Sequence, residues 1–159
     1  MNKKVERNYL EINSASELNE VGTTGINSKK SEIKLIKPAD FQINKFFYKN
    51  VGKKYNWVDR LAWTEKQWSE YVCNQKVRTY ILKYENDLAG YFELITHQDK
   101  KEVEIAYLGL LEEYQNKQLG SYLLSSAIKN SFLNNNQRVW VHTCSLDHKN
   151  ALKNYIARG

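Results

Sequence analysis

Apolar and polar residues alternate most regularly in the middle of the chain. Thr79-Tyr-Ile-Leu-Lys-Tyr84, a turn at Glu85-Asn-Asp87, and Leu88-Ala-Gly-Tyr-Phe-Glu-Leu-Ile95 read as a β-hairpin. After a polar turn at His97 to Lys100, Val103-Glu-Ile-Ala-Tyr-Leu-Gly-Leu110 adds a third strand, in which Gly109 is the expected bulge. The period then lengthens. Leu119, Leu123 and Ala127 recur at helical spacing, Leu124 and Ile128 widen the same face, and Asn134-Asn-Asn136 ends the helix after about four turns. Arg138 to Cys144 returns to strand, with Val139, Val141 and Thr143 on one side. Asp147 is placed to cap a last helix holding Ala151, Leu152 and Tyr155.

Upstream, Ile33, Leu35 and Ile36 predict a first strand, and Pro38-Ala39-Asp40 opens a helix carrying Phe41, Ile43, Phe46 and Phe47. Trp57, Trp63 and Trp68 with Arg60 suggest a short, partly exposed helical region, Trp68 starting a helix that runs to about Cys73. The predicted order is β-α-α-β-β-β-α-β-α, an α/β (α+β) domain over residues 31–159. Residues 1–30 are polar and read as a flexible extension, whose Gly22-Thr-Thr-Gly25 lacks the Gly-Lys-Ser/Thr of a phosphate loop and is a linker.

Composition narrows the classes. The 159 residues suffice for one domain with a real core, and 42% apolar content with a single proline excludes a disordered chain. Cys73 and Cys144 have no paired spacing, so neither a disulfide framework nor a zinc knuckle is indicated. With no apolar leader and no window approaching the ~20 apolar residues of a membrane span, a soluble cytoplasmic protein is expected. The net charge of +6 favours an anionic partner. Lys and Arg are scattered, however, without aromatic-basic interleaving, so the expected partner is a phosphorylated cofactor and not a nucleic acid.

The informative junction joins the strand ending at Leu110 to the long helix. A strand-loop-helix unit aims unpaired N–H groups and the positive end of the helix dipole at one point, which suits a phosphate. Lys117 and the amides of Gln118 to Ser121 supply donors, and Gly120 permits close approach.

Here the chain resembles the GNAT superfamily of N-acetyltransferases, whose pyrophosphate loop reads Gln/Arg-x-x-Gly-x-Gly/Ala. The corresponding run is Gln115-Asn116-Lys117-Gln118-Leu119-Gly120, with Gln118 where the family usually carries its first glycine. The likeness spans residues 31–159. It includes Val-Trp-Val-His-Thr-Cys144, and an ending, Asn150-Ala-Leu-Lys-Asn-Tyr-Ile-Ala-Arg-Gly159, that is similar to the family's Ala-x-x-x-Tyr-x-x-x-Gly. Tyr55 to Trp63 with Leu146-Asp-His148 is similar to a poorly characterised bacterial branch.

The resemblance implies a mixed, mostly antiparallel sheet flanked by helices and direct transfer of an acetyl group from acetyl-CoA to a primary amine. Leu108, Leu110 and the loop from Gln115 through Ser121 then bind the cofactor. Such transfer needs a base, oxyanion donors and an acid for the thiolate. Glu104 matches a histone-acetyltransferase general base, Glu93 is an alternative base or a contact to the substrate amine, and Tyr155 matches the residue that protonates the CoA sulfur. A backbone N–H near Leu110, exposed by the bulge, would meet the oxyanion. The acceptor approaches along Trp57, Arg60, Trp63 and Trp68, a lining suited to a cationic or aromatic amine.

Two alternatives remain. His142, Cys144, Asp147 and His148 allow the start of a metal site or a thiol nucleophile, but no complete ligand set is evident and no metal is expected. A non-catalytic acyl-CoA binding or sensing module on the same fold is the other. Family members normally continue past the terminal glycine into one or two strands that complete the sheet and acceptor site. Their absence here predicts either a shortened chain or an open edge that a partner, such as a second copy in a homodimer, supplies.

Overall fold

The computed structural model describes residues 4–21, 29–115, 117–144, 146–147 and 150–159. Strands β1 (Arg7–Ile12), β2 (Ser31–Leu35), β3 (Val77–Tyr84), β4 (Asp87–His97), β5 (Glu102–Leu110) and β6 (Arg138–Cys144) form one sheet in the order β1-β6-β5-β4-β3-β2. All neighbours are antiparallel except β5 and β6. That one parallel contact is short: Glu102, Val103 and Glu104 lie beside Arg138, Val139 and Trp140, and beyond them the strands separate.

The helices are α1 (Phe41–Gly52), α2 (Glu65–Val72), α3 (Leu119–Ser131) and α4 (Ala151–Ala157). Asp40 caps α1 by accepting from the Gln42 N–H at 3.0 Å, and Thr64 and Gln67 form a reciprocal capping box on α2. On one face of the sheet, Leu119, Leu123, Leu124, Ala127 and Ile128 of α3 close over Val103, Ile105, Val139 and Val141, with Tyr155 of α4 packed alongside. On the other, Phe47 and Val51 of α1 pack on Ile81, Tyr91 and Leu111.

Three expectations are corrected. Part of the supposed flexible extension is β1, which pairs with β6 from Arg7 opposite Cys144 to Ile12 opposite Val139. The edge of β6 expected to lie open is therefore covered by an N-terminal strand. Its alternating exposure, with only Ile12 buried, is too weak a pattern to register as strand in a polar sequence. Residues 22–28, which include the supposed Gly22–Gly25 linker, lie outside the described residues. Secondly, the bulge falls at Ala106: Glu93 faces Tyr107 and Leu94 faces Ile105, leaving Ala106 without a partner. Gly109 serves packing instead, since a Cβ there would stand 2.4 Å from Val51 Cγ1. Finally, α4 begins at Asn150 without a side-chain cap, while Asp147 accepts from the Thr143 hydroxyl at 2.5 Å.

Candidate active site

Where β5 and β6 diverge they open a cleft of about 690 Å³, within the range of small-molecule and cofactor sites. Its floor is the strand segment from Ile105 to Leu110, and one wall is the stretch between α1 and α2, with Tyr55, Trp57 and Asp59. The opposite wall is α4, with Tyr155 and Arg158, while Val5 and Arg7 of the N-terminal segment reach the margin. No local pattern marks these last two residues, because their place beside β6 depends on a strand pairing across most of the chain.

At one end of the cleft α3 begins. Gln118 is its N-cap with φ of 62°, a left-handed conformation that glycine adopts most readily, at the position where the resemblance places a glycine. No side chain caps this terminus, so its amides are left to the cleft that Gln118, Gly120 and Ser121 line. A Cβ at Gly120 would meet nothing nearer than Leu110 Cδ1 at 3.8 Å, so the glycine keeps space open and relieves no strain. Asn154 ties α4 to this end, accepting from Ser121 Oγ at 3.1 Å and donating to the Gly120 carbonyl at 3.4 Å. Arg158 adds a cation whose Nε and Nη1 are buried without a hydrogen-bond partner among the described residues. Uncapped amides and a guanidinium with two unpartnered nitrogens among the described residues fit a ligand rich in phosphate.

Of the residues expected at the cofactor, Leu108, Leu110, Gln115, Gln118, Gly120 and Ser121 line the cleft. Asn116 lies outside the described residues. Leu119 is 1% exposed in the core, so only its backbone faces a ligand, and the exposed Lys117 is not among the lining residues. Tyr155 lines the cleft, and burial, then the Asp147 carboxylate, raise its pKa, so the hydroxyl keeps its proton.

Glu104 is placed differently. It lies opposite Ile95 on β4 and beside Trp140 on β6, before the strands part, and its carboxylate is 3.8 Å from His97 Nε2, outside the cleft lining. Of the acceptor-side residues, Trp57 lines the cleft and packs over Gly52 and against the Tyr107 ring at 4.8 Å. Arg60 and Glu93 instead face each other, Nη1 lying 3.0 Å from Glu93 Oε2. Glu93 is fully buried and also accepts from Asn44 at 2.8 Å and Tyr71 at 2.9 Å, so it has no access to a substrate amine. The Arg60 guanidinium sits among aromatic rings, 4.1 Å from the centroid of Tyr71, 4.3 Å from Tyr107 and 4.8 Å from Trp63. Burial opposes its charge most strongly, but the Glu93 carboxylate together with the Tyr71 and Tyr107 hydroxyls outweighs burial and raises its pKa. The polar partners that convert a site candidate into a structural pair come from α1, α2 and β4, and no local sequence signal joins them.

His142 lines the cleft, whereas His148 lies outside the described residues. Among the described residues no group of three or more His, Cys, Asp or Glu side chains is arranged to hold a metal, and no helix is long and apolar enough to cross a membrane.

The strand splay, the uncapped helix start and the order of elements agree with the profile of the acetyltransferase (GNAT) family, which matches residues 41–159. The chain belongs to that family. Its domain is an acyltransferase domain on an α+β fold. No curated protein sequence matches it. Among solved structures, a conserved protein of unknown function from Staphylococcus epidermidis ATCC 12228 aligns with TM-score 0.62 at 16% identity, over 98% of this chain and 56% of that one. This GNAT chain thus spans little more than half of that relative's length. An aminoglycoside acetyltransferase from an uncultured soil metagenomic sample, in complex with trehalose, aligns with TM-score 0.63 at 13% identity, over 82% of this chain and 88% of that one. The spermidine N-acetyltransferase of Vibrio cholerae, in complex with CoA and spermine, aligns with TM-score 0.52 at 16% identity, over 65% and 64%. At such identities the likeness is one of fold.

Proposed function

We propose that this domain transfers an acetyl group from acetyl-CoA directly to a primary amine in the cleft between β5 and β6. The observation that carries the reading is the position of Tyr155, a tyrosine kept protonated in the wall of a cleft whose end is the uncapped start of α3. Acetyl-CoA supplies a thioester, whose carbonyl is the electrophile and whose sulfur leaves as a thiolate. The amides of Gln118 to Ser121 and the Arg158 guanidinium hold its phosphates. Leu111 donates its N–H to Ala89 on β4 at 2.8 Å, so the alternation of the strand turns the Leu110 N–H the other way, towards β6. Beyond Glu104 no β6 partner meets that edge, and the Leu110 N–H is the donor proposed for the developing oxyanion. Tyr155 gives its proton to the departing sulfur.

Glu104 on the far side of the bulge is the proposed base, reaching the amine through water, with His97 as its neighbour. The family fold, a CoA-bound relative in Vibrio cholerae, and the fit of phosphate-binding groups to the cleft support acetyl-CoA as donor. Its two relatives named for aminoglycoside and spermidine substrates support an amine acceptor.

Calorimetric titration with acetyl-CoA tests the cofactor site. The intact chain should bind saturably, and Gly120→Tyr, whose side chain enters the open cleft, should abolish binding without unfolding. No binding to the intact chain would overturn the proposal. A second reading, acyl-CoA binding without turnover, is favoured by the position of both candidate bases, Glu104 and Glu93, outside the cleft lining. Binding of acetyl-CoA with no acetylation of any amine offered would select it.

A further inference from the structure

Arg60 and its neighbour Asp59 face opposite ways. Arg60, 7% exposed, is drawn into the aromatic cluster and held by Glu93, and its own N–H donates to the Tyr48 hydroxyl at 3.0 Å. Both ends of the residue are thus pinned in a stretch that has neither helical nor strand hydrogen bonding to hold it. Asp59 is exposed, lines the cleft, and enters no salt bridge among the described residues. Trp57 and Tyr107 line the cleft beside it, and Asp59 lies near enough to Tyr107 to act on its hydroxyl electrostatically.

Charge is divided across the cleft. Arg7, Lys153 and Arg158 line it from the N-terminal segment and α4, where an anionic cofactor is received. The other carboxylate among the described lining residues, Asp147, is engaged by Thr143 on that same side, next to Tyr155. Asp59 is therefore the one carboxylate on the aromatic wall among the described lining residues. A carboxylate on the same wall as an indole recognises an alkylammonium group, by charge and by contact of the ring with its polarised methylenes.

We infer that Asp59 is the specificity residue of the acceptor side, and that the acceptor carries a second, non-reacting cation. The substrate class is a di- or polyamine-like cation in which one amine reacts and another docks on Asp59, on the wall it shares with Trp57. This inference rests on the acyl-transfer reading of the cleft. A monoamine lacks the docking group, since its single nitrogen must be uncharged to react. Arg60 is a positioning residue, fixing the backbone from which Asp59 projects.

The test compares pentane-1,5-diamine with pentan-1-amine, each titrated into the CoA complex and followed by tryptophan fluorescence. The diamine should bind at least about tenfold more tightly, its affinity should fall as salt is raised, and Asp59→Asn should remove both the preference and the salt dependence. CoA affinity and Tm should be unchanged in that variant. Equal binding of the two amines, no binding of the diamine, or a preference that survives Asp59→Asn would each overturn the inference. Failure of acetyl-CoA to bind is read separately, before any amine is added, and would count against the acyl-transfer reading instead.

Discussion

Arg60 Nη1 lies 3.0 Å from Glu93 Oε2 with both side chains withdrawn from water, and the pair joins the irregular stretch after α1 to the centre of the sheet. A buried ion pair contributes little beyond an apolar pair of similar volume, but removal of one partner strands the other charge. Arg60→Met alone and Glu93→Leu alone should each cost about 3–5 kcal/mol in denaturant unfolding. The double variant should lose less than either single one. A double variant as damaged as the sum of the two would show that the charges themselves hold this wall.

Gly109 carries a packing constraint that can be tested without touching chemistry. Its Cβ would stand 2.4 Å from Val51 Cγ1, so Gly109→Ala should destabilise by about 1–3 kcal/mol through overpacking between β5 and α1. Val51→Ala should recover part of that loss in the double variant, measured by urea unfolding. Additive losses would place the strain elsewhere.

Gln118 holds a left-handed conformation at the start of α3. Gln118→Gly should be more stable than Gln118→Ala by about 1 kcal/mol, because only the Ala variant retains the Cβ penalty. The comparison of the two midpoints removes the effect of losing the glutamine side chain. Equal midpoints would mean that the loop relaxes out of this conformation.

Tyr155 is expected to act through its proton. Tyr155→Phe should lower kcat about 100-fold or more while leaving the Kd for acetyl-CoA unchanged, since the ring is kept and the hydroxyl lost. The raised pKa adds that kcat of the parent enzyme should show no descending limb from this group below its ordinary value of 10.0. A variant that weakens acetyl-CoA binding and leaves kcat alone would assign Tyr155 to binding.

Alkaline stability follows from the same direction of shift in several tyrosines. Burial, as the leading cause, raises Tyr71, Tyr107 and Tyr155 above the ordinary value of 10.0. In the unfolded chain these hydroxyls ionise near their ordinary value, so the stabilisation is complete below it and declines as pH rises past it. Tm should be flat with respect to these groups between pH 7 and 9 and should fall above about pH 10. Tyr71→Phe should shrink that fall.

The periodic segments were legible from one end of the domain to the other, because each element buries a face whose spacing is written locally. Val103 and Ile105 alternate on β5, while Leu119, Leu123 and Ala127 recur on α3, and both patterns emerge as the core between sheet and helix. The loop before α3 was legible for a similar reason, Gly120 and its neighbours being consecutive in the chain.

Relationships between distant segments were settled by the packed molecule. β1 alternates too weakly to declare itself, and it becomes a strand because the edge of β6 supplies its hydrogen-bond partners. Glu93 and Arg60 carry the same side chains whether they face a substrate or each other, and the choice was made by Asn44, Tyr71 and the rings that α1, α2 and β5 bring around them. Glu104 stands outside the cleft because it still lies beside Trp140 of β6, before the two strands part. Local pattern specifies which face of an element avoids water; charge pairing, strand adjacency and bulge position depend on groups that meet only once the chain has folded.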